Sequence, residues 1–235
     1  MNPQQRETRA FFWAHVLLLL VVLVGFGRSF YLRGLFIAHP LNLLLQVHGA
    51  ILTLWFALTV LQARLAVTGQ KGSHARFAWL AVPTVAGVVI SGAWVNTALA
   101  LQLTSAEDPE NMFIWANYMS LMSFVLLVAL AVRARRRLTT HRRLMLFASI
   151  AIIGPAFARF SFWPFFGLGL AMAPAFAVAG MLLFVILAMG YDFVTWRRVQ
   201  ASTLGGFAGI LLPLIAGTAV ALSGLGFALI HRLQG

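Results

Sequence analysis

Residues 42–66 read NLLLQVHGAILTLWFALTVLQARLA, and this stretch decides the fold class. A helix needs about 20 apolar residues to cross the hydrocarbon core of a bilayer. Between Asn42 and Arg64 there is no charged side chain. The polar members of this stretch, His48, Trp55, Thr59 and Gln62, are spaced by 7, 4 and 3 residues. At 3.6 residues per turn they share one helical face. A polar stripe of this kind is costly against lipid, which predicts that it faces a bundle interior.

Similar runs fill the rest of the chain. The spans predicted are 11–31, 42–66, 77–103, 113–133, 144–163, 170–195 and 205–229, an all-α integral membrane bundle of seven transmembrane helices. No polar module interrupts them, so residues 1–235 read as a single transmembrane domain. The composition agrees, with 61% hydrophobic and 9% charged residues where soluble domains carry about 25% charged. The first span follows Arg6 and Arg9 like a signal peptide, but no small-x-small cleavage site precedes Arg28; a retained anchor is expected.

The net charge of +12 is a topological signal. Thirteen basic residues fall on the side of the N-terminus and the 2–3, 4–5 and 6–7 loops: Arg6, Arg9, Arg64, Lys71, Arg76, Arg133, Arg135, Arg136, Arg137, Arg142, Arg143, Arg197 and Arg198. Arg28, Arg33 and Arg232 fall on the other, and Arg159 lies within a span. Cytoplasmic loops carry the excess of Lys and Arg. The expectation is an inner-membrane protein, N-terminus cytoplasmic and C-terminus outside. Its basic residues then face anionic lipid, not nucleic acid. Asp192, near the inner end of span 6, is expected to pair with Arg197 or Arg198 or to be solvated.

One pattern occurs twice. Ser73-His74-Ala75-Arg76-Phe77 opens span 3, and Thr140-His141-Arg142-Arg143-Leu144 opens span 5. The hydroxyl residue suits a helix N-cap, and the pair points to a hairpin repeat of spans 2–3 and 4–5. Small residues at Gly87 and Ser91, and at Gly205 and Gly209, are expected at helix contacts. Pro83, Pro155, Pro174 and Pro213 are expected to kink their helices.

Several chemistries are excluded outright. Cysteine is absent, so thiolate metal sites, iron–sulfur clusters and cysteine nucleophiles are not available. The one lysine, Lys71, lies in a polar loop and cannot be a desolvated Schiff-base lysine inside a helix. What remains are polar residues at membrane depth. His48, Asn96, Asn117, Tyr118 and Arg159, with His39, match in depth near the outer face and outline an outward-facing pocket. The Arg159 guanidinium cannot be neutralised, so it either snorkels to headgroups or holds an anion such as a haem propionate, a quinone carbonyl or an acidic substrate. His74 and His141 share the inner depth, with His15, and are candidate axial ligands of a b-type haem, as is His48 on the outer side. Gln62 and Asn117 complete the candidate cofactor-binding set.

The run His48-Gly49-Ala50, Trp55-Phe56 and Gln62, followed by Gly72-Ser73-His74-Ala75-Arg76, His141-Arg142-Arg143-Leu144-Met145-Leu146 and Pro155-Ala156-Phe157-Ala158-Arg159, resembles an uncharacterised family of bacterial multi-helix membrane proteins, a domain of unknown function. Ser29-Phe30-Tyr31-Leu32-Arg33 fits the same likeness, which covers roughly residues 25–165. More distantly, the histidines 26 residues apart across a hairpin, His48 and His74, are similar to the transmembrane b-type cytochromes that reduce iron or ascorbate radicals. That likeness implies haem b held by helix-borne histidines. Its departure is that His74 and His141 stand nearer the ends of their spans than ligands in those families. The function expected is electron transfer linked to a b-type haem or a quinone. Two other readings use the same residues: an accessory subunit packed in a larger membrane complex, or a small transporter using the outer pocket.

Overall fold

The computed structural model describes residues 3–234, and among them every regular element is helical. In chain order the helices are α1 (Pro3–Gly25), α2 (Arg33–Phe36), α3 (Leu43–Val67), α4 (Lys71–Ala78), α5 (Ala81–Ala100), α6 (Pro109–Arg133), α7 (Leu138–Ala151), α8 (Gly154–Ala158), α9 (Ala173–Trp196), α10 (Ala201–Leu222) and α11 (Leu225–Gln234). A five-residue π-helix, Gly27–Tyr31, follows α1, and a 3-10 turn, Arg159–Phe162, follows α8. Six helical stretches are long and apolar enough to cross a membrane, and seven if the broken pair 138–151 and 154–162 is one span. Large apolar side chains such as Leu43, Val82, Trp94, Val194 and Leu212 lie exposed along these helices. An apolar surface that extensive is suited to lipid, not to water.

The boundaries differ from those expected in physically interpretable ways. The first long helix runs over Gln4–Gly25, with Arg6, Glu7 and Arg9 inside it; the stretch to Tyr31 is instead the π-helix. The seventh expected span stops at Leu222. Gly224, at φ +70°, takes the left-handed position that ends a helix, and α11 starts anew with His231 and Arg232 in its last turn. Of the four prolines, only Pro213 lies inside a helix. Pro83 and Pro174 stand in the first turns of α5 and α9, where a missing N–H costs nothing. Pro155 follows the break at Ile152–Ile153 and sits in the first turn of α8. Asn42 caps α3 by accepting from Leu45 N at 2.9 Å, and Asp108 caps α6 by accepting from Glu110 N at 2.9 Å.

Where composition shows one uninterrupted apolar chain, the fold divides into two compact units. One comprises the residues up to 89 with 153–183, the other 90–152 with the residues from 184 on.

In the first unit α1 packs on α3 and α8, and α4 folds back on α3. Gly25 makes the α1–α8 contact possible, because a Cβ there would collide with the main-chain oxygen of Ala156. Gly87 of α5 rests on Ile51, as the small-residue reading expects. Trp55 and Phe56 of α3 are fully buried.

In the second unit α6, α7 and α10 form the core, with α11 against α6 and α10. Phe147 of α7 lies against Gly206, and Leu127 of α6 against Gly209. Gly217 meets the backbone of Trp115. Gly205, expected at this contact, has open space around it; its neighbour Gly206 takes the place. Where lipid gives no hydrophobic drive, such close backbone approach supplies the van der Waals contact that holds helices together.

Candidate functional site

The two Ser/Thr-His motifs take the same local form, one in each unit. Neither hydroxyl residue is the N-cap. That position belongs to Gln70 in α4 and Arg137 in α7, so Ser73 and Thr140 both occupy the third helical position and the histidines the fourth. From there each imidazole turns back to the preceding helix. His74 Nδ1 lies 3.2 Å from the carbonyl oxygen of Gln62, near the end of α3. His141 Nδ1 lies 2.8 Å from that of Ala131, in the last turn of α6. Ala131 O, among the last carbonyls of α6, lacks an intrahelical partner, so His141 satisfies an acceptor that would otherwise be orphaned; Gln62 O lies inside α3 and gains His74 as a second donor. A carbonyl only accepts, so the neutral ring carries its proton on Nδ1 and its lone pair on Nε2.

Gln62 adds a second feature at His74. Both side-chain atoms, Oε1 and Nε2, are buried without a hydrogen-bond partner. An unsatisfied buried amide costs about 1–3 kcal/mol, so such a group is expected to have a partner when the protein works. The stripe expected on α3 is inward-facing over most of its length: Trp55 and Thr59 are buried, Gln62 and His48 half-buried. Thr59 is satisfied within the helix, donating to Phe56 O at 2.8 Å. His48 and Gln62 are fourteen residues apart, about 21 Å along the axis. His48 and His74, which returns to Gln62, therefore stand at opposite ends of α3. His15 is buried within α1 of the same unit.

The residues matched by depth near the outer face divide between the units. His39, His48 and Arg159 belong to the first, and Asn96, Asn117 and Tyr118 to the second. Asn96 is buried, Asn117 is half-buried on α6, and Tyr118 shares a 2.7 Å hydrogen bond with Thr97. Arg159 is exposed, and its guanidinium lies over the rings of Phe26 and Phe162, at 5.8 Å and 5.9 Å from their centroids.

The second unit holds a polar cluster that sequence reasoning placed wrongly. Asp192 pairs neither with Arg197 nor with Arg198, and it is not solvated. Its carboxylate is fully buried against Arg143, which donates from Nε at 3.1 Å and from a terminal nitrogen. Asp192 also accepts from Thr203 Oγ1 and from Gln200 N at 3.0 Å. Arg143 in turn donates to Thr139 O at 3.1 Å. The signal available was the lone acid of an otherwise uncharged span, but Arg197 and Arg198, five and six residues on, obscured its partner. Glu7, fully buried in α1, was also missed.

Among the described residues, no three His, Asp or Glu side chains converge as a metal site. Compared with known proteins, the chain matches no family model, no curated protein and no solved structure at a significant level.

Proposed function

We propose that the chain is a multi-pass inner-membrane protein of electron transfer that binds haem b through histidine. The observation that carries this reading is the anchoring of His74 and His141. A ligating histidine holds its second ring nitrogen on a carbonyl or carboxylate, which fixes the tautomer and raises the basicity of the other. Each of the two has Nδ1 on a main-chain carbonyl, which directs ligation to Nε2. Haem, when bound, would supply the one-electron couple; the chain's part is to hold the imidazoles and exclude water. The equivalent form of the two motifs also supports a hairpin repeat. The loop arginines support a cytoplasmic N-terminus, since the burial of Arg143 leaves their bias intact.

The test is a reduced-minus-oxidised spectrum of protein purified after haem-replete expression. The expected result is a b-type spectrum that is lost or shifted in His74→Ala or His141→Ala. Protein without haem bands would reject the reading.

A second reading, a quinone site, is favoured by one observation, the unpartnered amide of Gln62 beside the anchored His74. The Gln62 amide N–H can donate to a quinone carbonyl, and the Nε2 lone pair of His74 can accept from a quinol hydroxyl. Solvent extraction of the purified protein should then recover quinone, and Gln62→Leu should lower its content. Absence of quinone from wild-type protein would reject it.

A further inference from the structure

Three arginines gather in the first unit beyond the C-terminal end of α1, and one of them is already committed. Arg33 donates to His39 O at 2.8 Å and to Ser29 O at 3.1 Å. Arg28 and Arg159 both address Phe162. Arg28 donates from Nη1 to the carbonyl of that residue, and Arg159 lies over its ring. The local fold makes this meeting possible. Gly25 lets the Ala156 backbone touch α1, and Trp163 donates to Val24 O at 3.2 Å, which fixes the 3-10 turn beside residues 26–29.

Other donors there lack acceptors. Arg28 Nε and Ser29 Oγ are both buried without a hydrogen-bond partner. The rings of Phe26 and Phe162 offer the cation of Arg159 their faces and no oxygen acceptor. No carboxylate of this unit can compensate. Its single acid, Glu7, is eighteen residues before Gly25 on α1, about 27 Å away along the axis. These orphaned donors sit on or beside a π-helix, a rare form that frequently marks functional positions.

We propose that Arg28, Ser29 and Arg159 bind a phosphate group, carried by a lipid headgroup or free in solution. Two guanidiniums and a hydroxyl match the several acceptor oxygens of a phosphate. The Arg28 N–H that burial leaves unmet would then find its acceptor. This site lies apart from the histidines of the electron-transfer reading and stands without it.

The test uses the full-length chain purified in a non-ionic detergent. Native mass spectrometry is run with dioleoyl phosphatidylglycerol and, in parallel, with dioleoyl phosphatidylcholine. Thermal unfolding is followed with and without inorganic phosphate. A headgroup site predicts that wild type prefers phosphatidylglycerol and that Arg159→Gln weakens this binding about tenfold, the worth of one charge-assisted contact. Arg28→Gln/Arg159→Gln should abolish the preference, while Arg64→Gln on the far end of α3 should keep it. A free-anion site predicts that inorganic phosphate raises the unfolding temperature of wild type and not of the double variant. If Arg28→Gln fails to fold, Arg159→Gln and Ser29→Ala carry the comparison. Equal retention of both lipids with no phosphate shift would overturn the proposal, as would an anionic-lipid preference unchanged by these substitutions.

Discussion

Arg143 and Asp192, 49 residues apart in the chain, form an ion pair with 1% of either side chain exposed. It joins α7 to α9, and Thr203 extends it to α10. Removing one member of a buried pair leaves an uncompensated charge, at a cost of about 3–5 kcal/mol. Asp192→Leu and Arg143→Leu should each lower the unfolding temperature in detergent sharply. The Arg143→Leu/Asp192→Leu double variant should lose less than the two single losses added. Additive losses would show that the two residues do not interact.

Glycines that look alike in the sequence should behave oppositely. Gly25→Ala places a methyl group into the Ala156 main chain, which cannot move aside as a side chain could. A loss of about 1–3 kcal/mol or more is expected from this overpacking. Gly205→Ala meets open space within α10 and should be neutral or stabilising by about 0.5–1 kcal/mol. Thermal unfolding of both variants distinguishes them.

His141→Ala should destabilise even where no cofactor is present, because Ala131 O then loses its 2.8 Å partner. The expected loss is about 1 kcal/mol. His141→Asn, which can still donate from a shorter side chain, should lose less. Unfolding temperatures of the two variants in haem-free protein provide the comparison.

Tyr31 ties the π-helix to α3. Thr53 Oγ1 donates to Gly49 O at 2.7 Å, so in its 2.6 Å contact with Tyr31 it accepts and the phenol donates. Tyr31→Phe leaves Thr53 satisfied and should cost only about 0.5–1.5 kcal/mol. Thr53→Val removes the acceptor and strands the phenol, so it should cost more. A larger effect for Tyr31→Phe would reverse the donor assignment.

The all-helical class and the number of long apolar runs are legible in the sequence because both depend on local properties. Twenty apolar residues span a fixed thickness whatever they pack against, and a stripe at helical spacing such as Trp55, Thr59 and Gln62 shows which face turns inward. Even Gly87 could be placed at a contact on size alone.

Partnership was not legible in this way. Arg197 and Arg198 stand far closer to Asp192 in the sequence than the arginine it binds, and only the packing of α7 against the residues around it selects Arg143. Ser73 and Thr140 look like caps, yet each lies two residues inside the helix it was expected to begin. Gly205 and Gly206 differ by 100° around α10, a rotation that sequence spacing leaves open.

An all-helical chain with spans of membrane length, an inward stripe on α3 and two histidine motifs can all be read along the sequence. These follow from hydrophobicity and helical period, which act over neighbouring residues. Packing between distant helices is what brings Asp192 to Arg143, leaves the Gln62 amide buried and unpaired, and makes Arg28 and Arg159 converge on Phe162. Those relations depend on how helices rotate and approach, and that is set by close packing between residues far apart in the chain.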